Sequence, residues 1–347
     1  MTNYQALSNI GWSPFFQQQL TLEEWDSVTP ARIVEQHKSI IEIATENQQL
    51  NLNLTPNMPT MVVGDWLLLN SDNKFQRLLD RKTLFRRKSA GTAVDWQLIA
   101  ANVDTAFIVC SLNDDFNLSR IERYLTLANS AEVEPVIVLT KSNLVDNAEK
   151  WRQRILEIDN RLPVVAINAL SSECMNQLSE WLAHGKTIVM LGSSGVGKST
   201  LTNSLLGEQL LATGAIREDD AKGRHTTTNR SIVTMASGAM LLDTPGMREL
   251  QLADCEQGIA ATFADIEQLS QNCRFSNCSH TNEPGCAVLQ AISDEKLDLR
   301  RLNNYLKLLK EQAHNSASLA EKRAKAKAFG KMVKNTMGEA YKIKGRQ

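Results

Sequence analysis

The sequence predicts an α/β fold in which a parallel sheet follows a small β-barrel and precedes a mostly helical C-terminal region. Short apolar runs separated by polar turns fill residues 29–88, apolar runs alternate with helical segments after Trp96, and neither glycine nor proline occurs from Ala287 to Phe329. A chain of 347 residues is also too long for one ordinary domain. The predicted divisions are an N-terminal arm (1–28), an OB-like β-barrel (29–96), an α/β domain (97–260) and a helical C-terminal region (261–347).

The composition limits the class of protein. Apolar residues make up 42% of the chain, enough for a core, and the formal net charge is −1. No stretch reaches the roughly 18 consecutive apolar residues of a membrane span. The N-terminus lacks the basic and apolar pattern of a secretion signal. We therefore expect a cytoplasmic, monomeric protein without a membrane partner.

The barrel is predicted from three short apolar segments. Ala31–Val34 and Ser39–Ala44 are typical of strands, and Met61–Leu69 is typical of a turn that enters a strand. Several short strands with polar turns in about 60 residues favour a small barrel of the OB type. A β-cap with a purely structural role stays open as the alternative.

The α/β domain is predicted from apolar runs that alternate with helical patterns. Alternation of this kind indicates a parallel sheet with helices on both faces. Ligands of such sheets bind at the carboxyl ends of the strands. The predicted strands and helices are Thr105–Cys110, Leu118–Ser130, Val136–Leu139, Ala148–Ile158, Val164–Ile167, Met175–Leu182 and Thr187–Leu191.

A phosphate-binding loop follows the last of these strands. Gly192–Ser199 fits the Walker A pattern in full and precedes the apolar helix Thr200–Leu206, which is the context that the pattern requires. Backbone N–H groups and the helix N-terminus would face the phosphates, Lys198 would reach the β- and γ-phosphates, and Ser199 would bind Mg²⁺. The predicted nucleotide contacts of this loop are Gly192, Ser193, Ser194, Gly195, Val196, Gly197, Lys198, Ser199 and Thr200.

A γ-phosphate site is predicted from two further segments. Asp243-Thr244-Pro245-Gly246 follows an apolar strand, so that Asp243 can hold Mg²⁺ through water and the Gly246 N–H can face the γ-phosphate. The threonine-rich loop 223–228 lies between this motif and the Walker A loop. One of its threonines, Thr227 or alternatively Thr228, would complete the Mg²⁺ shell only with a triphosphate bound.

Two segments before the phosphate loop are similar to guanine-binding motifs. Thr140–Asn143 resembles Asn-Lys-x-Asp, and Asn168–Leu170 resembles Ser-Ala. Both usually follow the Walker A loop in sequence, whereas here they precede it. A doubly wound sheet tolerates such a rotation when the original chain ends lie close together. The predicted base contacts are Thr140, Lys141, Ser142, Asn143, Asn168 and Ala169. The Thr140 hydroxyl can bond either the base or the loop itself.

Asn143 stands where the guanine motif has aspartate. A carboxylate accepts hydrogen bonds from two guanine donors at once, whereas an amide offers one acceptor. Loss of one hydrogen bond to a charged group weakens binding by about 1.5–3 kcal/mol. The sequence therefore leaves open how strongly guanine is preferred, with Asp146 as an alternative acceptor.

The position after Asp243–Gly246 is Met247, where Ras-like enzymes carry a glutamine that orients the attacking water. A thioether cannot orient water in this way. His225 in the threonine-rich loop is the predicted substitute, and a surface or RNA contact is its alternative role. The predicted catalytic residues are Lys198, Thr227 and His225.

A metal centre is predicted near the C-terminus. Cys273, Cys278, His280 and Cys286 supply three thiols and one imidazole within 14 residues. Three thiolates and one nitrogen fit a closed, tetrahedral and therefore structural Zn²⁺ site. The remaining cysteines are expected to pack as small hydrophobic residues; they are Cys110, Cys174 and Cys255.

Two basic runs point to a nucleic-acid partner. One extends from Lys74 to Lys88. The other, from Lys322 to Arg346, has nine Lys and Arg against one acid, Glu339. Two such runs in one chain with a nucleotide switch favour a nucleic-acid partner, whereas a single run would be interpreted as a solvated surface.

Taken together, these motifs resemble the circularly permuted GTPases that depend on the small ribosomal subunit. The resemblance covers roughly residues 29–310 and includes Gly64–Trp66 and Ala100–Asp104 as well as the nucleotide and cysteine motifs. It implies GTP and GDP binding with Mg²⁺, one structural Zn²⁺, and GTP hydrolysis stimulated by the small subunit late in its maturation, through rRNA. Two alternatives remain, an RNA-binding module that uses nucleotide as a ligand switch and an ATPase or small-molecule kinase.

Overall fold

The computed structural model describes residues 3–88, 96–113, 115–171, 173–207, 230–243 and 252–316. Its strands are β1 Thr29–Gln36, β2 Ile40–Ala44, β3 Gln49–Asn53, β4 Trp66–Leu69, β5 Phe75–Leu78, β6 Leu84–Lys88, β7 Trp96–Ala101, β8 Thr105–Ser111, β9 Glu134–Thr140, β10 Val164–Ala166, β11 Thr187–Leu191, β12 Arg230–Thr234 and β13 Met240–Asp243. Its helices are α1 Tyr4–Ser8, α2 Pro14–Gln17, α3 Glu24–Ser27, α4 Leu118–Ser130, α5 Glu149–Leu156, α6 Cys174–Gln177, α7 Lys198–Leu206, α8 Glu256–Thr262, α9 Ala264–Ser270, α10 Ala287–Ser293 and α11 Leu299–Ser316.

The N-terminal strands are antiparallel. Strand β1 pairs with β2 and β4, β2 pairs with β3, and β4 pairs with β5, while β6 and β7 form a separate hairpin. Alternate residues of these strands, such as Ile33, Ile41 and Leu67, point into the core. The antiparallel strands that an OB-like barrel requires are therefore present, and its closure stays a prediction.

The α/β domain is built on five parallel strands in the order β10-β9-β8-β11-β13. All residues of the central strand β8 are buried, as expected for a sheet that is covered on both faces. Strand β12 extends the sheet antiparallel to β13, and its Arg230 and Ser231 pair with Gln36 and Glu35 of β1. One continuous sheet therefore joins the N-terminal strands to the α/β domain.

The predicted parallel sheet is confirmed, with differences in length. The helix predicted over Met175–Leu182 is wrong in extent, because α6 ends at Gln177 and the chain continues in single turns. Leu178 and Leu182 are buried although they lie beyond the helix end, so the apolar spacing continues and the helix length was overestimated. The helix after the phosphate loop begins at Lys198, two residues earlier than predicted.

A buried arginine joins the arm, the antiparallel strands and the α/β sheet. Arg32 is 1% exposed and donates to the carbonyls of Ile10 (2.6 Å) and Asn102 (3.1 Å) and to Thr187 Oγ1 (2.8 Å). Burial lowers the pKa of this guanidinium to about 10, although Asp104 and Asp65 act in the opposite direction. It stays charged at neutral pH, so the junction depends on a cation held mostly by neutral oxygens.

The motifs Gly64–Trp66 and Ala100–Asp104 build the same junction. Asp65 is buried and accepts two hydrogen bonds from Arg81, at 2.7 and 2.8 Å. The Asn102 side chain donates to the Gly64 carbonyl at 2.9 Å. A side chain at Gly64 would place its Cβ 2.0 Å from the Ala101 carbonyl oxygen, so this close approach requires glycine. These motifs therefore join the N-terminal strands to the start of the α/β sheet.

The C-terminal helices pack on α4. Glu122 is fully buried and accepts from Arg300 and Arg301, each at 2.9 Å, and Arg301 also bonds Asp265. The long helix α11 confirms the predicted helical region. None of the helices in the described ranges has the length and apolar character needed to cross a membrane.

Candidate nucleotide-binding site

The phosphate loop connects β11 to α7, the strand–loop–helix context that the sequence predicts. Gly192 needs the absence of a side chain, because a Cβ there would lie 2.5 Å from the Val109 carbonyl oxygen. Gly197 has φ +93° at the start of the helix, a conformation that favours glycine. The Lys198 ammonium folds over the loop and donates to the Gly192 carbonyl (2.7 Å) and to that of Ser193. The lysine side chain therefore lies against the backbone of the loop.

The segment Thr140–Asn143 is tied to the phosphate loop. The Thr140 hydroxyl is fully buried and donates to the Val196 carbonyl at 2.6 Å. Lys141, in the left-handed region at φ +58°, donates from Nζ to the Gly195 carbonyl at 3.1 Å. Two side chains that lie more than 50 residues upstream in the chain therefore fix the phosphate loop.

The second predicted base segment joins the same cluster. The Ser142 N–H donates to the Ile167 carbonyl at 3.2 Å, and Asn168 closes a turn by accepting from the Leu170 N–H at 3.1 Å. The Ala169 carbonyl accepts from Ser204 of helix α7. Asn143 is exposed beside these contacts, in the 3₁₀ turn Ser142–Leu144.

The aspartate predicted to hold Mg²⁺ ends strand β13. This strand pairs in parallel with β11, with Leu242 opposite Val189, so Asp243 and the phosphate loop lie at the same edge of the sheet. Ser199 and Asp243 are both exposed at that edge. The predictions for Thr227, Thr228, His225, Gly246 and Met247 fall outside the described residues.

Two exposed leucines were missed by the sequence reasoning. Leu144 is 67% exposed and Leu170 is 80% exposed; Leu144 directly follows the first predicted base segment, and Leu170 is the last residue of the second. Large apolar side chains exposed beside polar loops offer surface to the plane of a bound base. Their position in the sequence could have indicated them, since a leucine lies at the end of each segment.

The metal-ligating residues converge as predicted. The ligand atoms of Cys273, Cys278, His280 and Cys286 all lie within 4.8 Å of one another. The measured edges are 3.9 Å between Cys273 Sγ and Cys286 Sγ, and 3.7 and 3.4 Å from His280 Nδ1 to these two sulfurs. Bond lengths of about 2.3 Å to sulfur and 2.0 Å to nitrogen give tetrahedral edges of about 3.5–3.8 Å. The donor set therefore fits one four-coordinate metal ion.

The other cysteines are buried, which confirms the prediction that they pack as small hydrophobic residues. Burial raises the pKa of the Cys110 and Cys255 thiols to about 12. Both are therefore protonated and poorly nucleophilic at neutral pH.

Comparisons with known proteins agree with this geometry. The model of the RsgA GTPase family matches residues 78–253. The small ribosomal subunit biogenesis GTPase RsgA 2 of Vibrio parahaemolyticus is 54% identical over 97% of this chain and 94% of its own length. The protein of the same name from Vibrio vulnificus is 52% identical over 99% of both chains.

Two solved structures share the fold. YjeQ from Thermotoga maritima superposes with a TM-score of 0.60 at 26% identity, covering 82% of this chain and 98% of that structure. YloQ, described as a circularly permuted GTPase, gives a TM-score of 0.60 at 20% identity, with 86% and 99% covered. The bonds from Thr140 and Lys141 to the phosphate loop are consistent with the permuted motif order. The chain therefore belongs to the RsgA GTPase family.

Proposed function

We propose that this GTPase acts on the small ribosomal subunit, hydrolysing GTP to GDP and phosphate late in the maturation of that subunit. The observation that carries the proposal is the pair of hydrogen bonds from Thr140 and Lys141 to the phosphate loop. They hold the segment predicted to bind guanine against the phosphate loop, although that segment precedes the loop in sequence. Relatives that are named for small-subunit biogenesis align over nearly the whole chain, which supports the choice of partner.

The proposed roles follow from the positions at the sheet edge. Lys198 would place its charge on the β- and γ-phosphates, and the backbone of Gly192–Gly197 would donate to them. Ser199, Asp243 and Thr227 would hold Mg²⁺, which when bound neutralises phosphate charge. Gly246 would face the γ-phosphate. The base would be held by Lys141, Ser142, Asn143, Asn168 and Ala169, and Thr140 would support them through its bond to the phosphate loop. Thr200, in the first turn of α7, would add a further nucleotide contact.

Slow intrinsic hydrolysis is expected, because Met247 has no group that can orient water. We assign that role to His225, which would require the small subunit to position its loop. Stimulation by the subunit then has a physical basis, since docking would position the catalytic group against the γ-phosphate.

The metal is proposed to be Zn²⁺ in a structural role. The donor set has three sulfurs and one nitrogen, and its edges match a closed tetrahedron. No ligand position would remain for substrate, so the ion would stabilise the C-terminal region only.

The proposed partner surface is rRNA-binding and basic. On the hairpin β6–β7 the Arg86 guanidinium lies 4.6 Å from the centre of the Trp96 ring, and Arg87 and Lys88 follow on the same strand. A cation beside an aromatic face suits both phosphate and base contacts. The basic tail from Lys322 would add phosphate contacts. The proposal keeps the predicted division into arm, barrel, GTPase domain and C-terminal region. It also keeps the prediction of a monomer that acts in the cytoplasm, where ribosomal subunits mature.

The decisive measurement is phosphate release from GTP and from ATP, with and without small subunits. We expect hydrolysis of GTP, strongly stimulated by subunits, and its loss in Lys198→Ala. The exposed Lys150→Ala is the matched control. Equal rates with and without subunits, or unchanged hydrolysis in Lys198→Ala, would overturn the proposal.

A further inference from the structure

One carboxylate organises the loop that carries the histidine ligand of the metal centre. Glu283 lies three positions after His280. Its Oε1 accepts a hydrogen bond from the Ser279 N–H at 2.9 Å and another from the Ser279 hydroxyl. Its Oε2 accepts from the N–H groups of Thr281 at 3.0 Å and of Asn282 at 3.2 Å. The carboxylate therefore holds the backbone on both sides of His280.

The residue between these bonds has an uncommon backbone conformation. His280 has φ +55°, in the left-handed region that residues with a side chain seldom adopt. Such a conformation persists where the surrounding contacts enforce it. The residue is 8% exposed, and its Nδ1 lies 3.4 Å from Cys286 Sγ and 3.7 Å from Cys273 Sγ. The imidazole therefore reaches the sulfurs from a backbone conformation that its neighbours must maintain.

The cysteine ligands are placed by backbone contacts instead. The Cys273 N–H donates to the Ser270 carbonyl at 3.1 Å, and the Cys278 N–H donates to the Phe275 carbonyl at 3.2 Å. The Arg274 N–H donates to the Gly285 carbonyl at 3.0 Å, which joins the chain beside Cys273 to the chain beside Cys286. The side-chain support from Glu283 is therefore directed at the histidine part of the site.

Glu283 supports the ligand set and is not one of its members. The clustered ligand atoms belong to the three cysteines and His280, whereas both oxygens of Glu283 bond donors of the loop. The bonds from the Ser279 hydroxyl and backbone lower the pKa of the Glu283 carboxyl, so it is charged at neutral pH. Hydrogen bonds to a charged acceptor are the stronger ones, which suits a group that fixes a turn.

We propose that Glu283 is a positioning residue for the metal centre, whose carboxylate holds His280 in the left-handed conformation from which Nδ1 can bind the ion. The proposal rests on the Zn²⁺ site proposed above. A ligand that is already ordered loses less conformational entropy when the ion binds. Glu283 should therefore increase the affinity for Zn²⁺ without contacting it.

The expected effect is a loss of metal affinity. Glu283→Gln preserves the size of the side chain, but the amide has one acceptor oxygen and places an NH₂ group against N–H donors. Changing a group that orients a metal ligand typically lowers metal affinity by roughly 10- to 100-fold. We expect about 10-fold weaker Zn²⁺ binding in Glu283→Gln and a larger loss in Glu283→Ala, which removes both acceptor oxygens.

The test measures the Zn²⁺ dissociation constant of the full chain by competition with a chromophoric chelator. The matched control is Glu295→Gln, the same chemical change at an exposed residue after helix α10. Ser279→Ala removes one donor to the same carboxylate and should weaken Zn²⁺ binding by a smaller factor. Thermal unfolding of each metal-free variant shows that the rest of the chain is folded.

A double-mutant comparison separates positioning from general support of the loop. If Glu283 acts through His280, its effect should largely disappear once the imidazole has been removed. In a His280→Ala background, we therefore expect Glu283→Gln to change Zn²⁺ affinity by about 2-fold or less.

Three results would overturn the inference: wild-type Zn²⁺ affinity in both Glu283→Gln and Glu283→Ala, the same loss in Glu295→Gln, or an undiminished effect of Glu283→Gln in the His280→Ala background. The wild type distinguishes this failure from that of the metal assignment. If it binds Zn²⁺ tightly while the Glu283 variants match it, the metal site stands and only the role of Glu283 is refuted. If it binds no Zn²⁺, both are refuted.

Discussion

Replacing Thr140 with valine tests the hydrogen bond that holds the base segment against the phosphate loop. The Thr140 hydroxyl donates to the Val196 carbonyl at 2.6 Å and lies 3.3 Å from the Cys110 carbonyl oxygen. Valine has nearly the same shape and removes only the donor. Because Thr140 is fully buried, any effect on nucleotide binding arises through the position of the loop.

The size of the expected destabilisation follows from the burial of the Val196 carbonyl, which accepts this hydrogen bond. Val196 is 3% exposed, so its carbonyl would lose a partner in a place that water reaches poorly. An unpaired buried acceptor costs about 1–3 kcal/mol. We expect the free energy of unfolding to fall by that amount and the dissociation constants of GTP and GDP to rise equally, by about 3- to 10-fold.

The assay is chemical unfolding combined with equilibrium binding of GDP and a GTP analogue. Thr234→Val is the matched control, since Thr234 also ends a strand but is exposed. A variant that is destabilised yet binds both nucleotides normally would refute the reasoning, because the bond would then support the fold without shaping the site.

Three further changes test the metal centre, the base contact and the tail. Cys278→Ala should release one Zn²⁺ per chain, measured as metal content, while Cys174→Ala should retain it. Asn143→Asp should raise the preference for GTP over XTP by one to two decades, roughly the energy of a charged hydrogen bond, measured by competition. Deleting Lys322–Gln347 should reduce the salt dependence of small-subunit binding, because each lost phosphate contact lowers the slope by about 0.9.

Each of these has a clear contrary result. A wild-type preparation without zinc would remove the metal assignment. A wild type that already strongly prefers GTP would show that another acceptor, such as Asp146, reads the base. An unchanged salt slope would make the tail an ordinary solvated segment.

The sequence predicted what local patterns encode. The Walker A loop, the parallel strands and the cysteine cluster each depend on residues that are close together in the chain, and all three are found. The bond from Thr140 to Val196 was foreseen only as one of two possibilities, contact with the loop or with the base, and the structure shows the loop contact.

Contacts between distant segments were not predictable in this way. Nothing in the spacing around Arg32 indicates that it enters a junction with Ile10 and Thr187, because each partner lies on a different element. The buried bond between Arg301 and Glu122 is equally non-local, and charged residues ordinarily predict a surface. Helix α6 was predicted too long because buried apolar side chains continue at helical spacing through turns that are not helical.

The pairing of β1 with β12 has a consequence for biosynthesis. During synthesis from the N-terminus, the β1 edge at Glu35 and Gln36 stays without its partner until Arg230 and Ser231 have been made. An open strand edge can recruit other chains, and polar or charged residues reduce that tendency. The sequence here is Glu35-Gln36-His37-Lys38, entirely polar at this end of the strand. We therefore expect this polar edge to lower the tendency of the nascent chain to aggregate before β12 has been made.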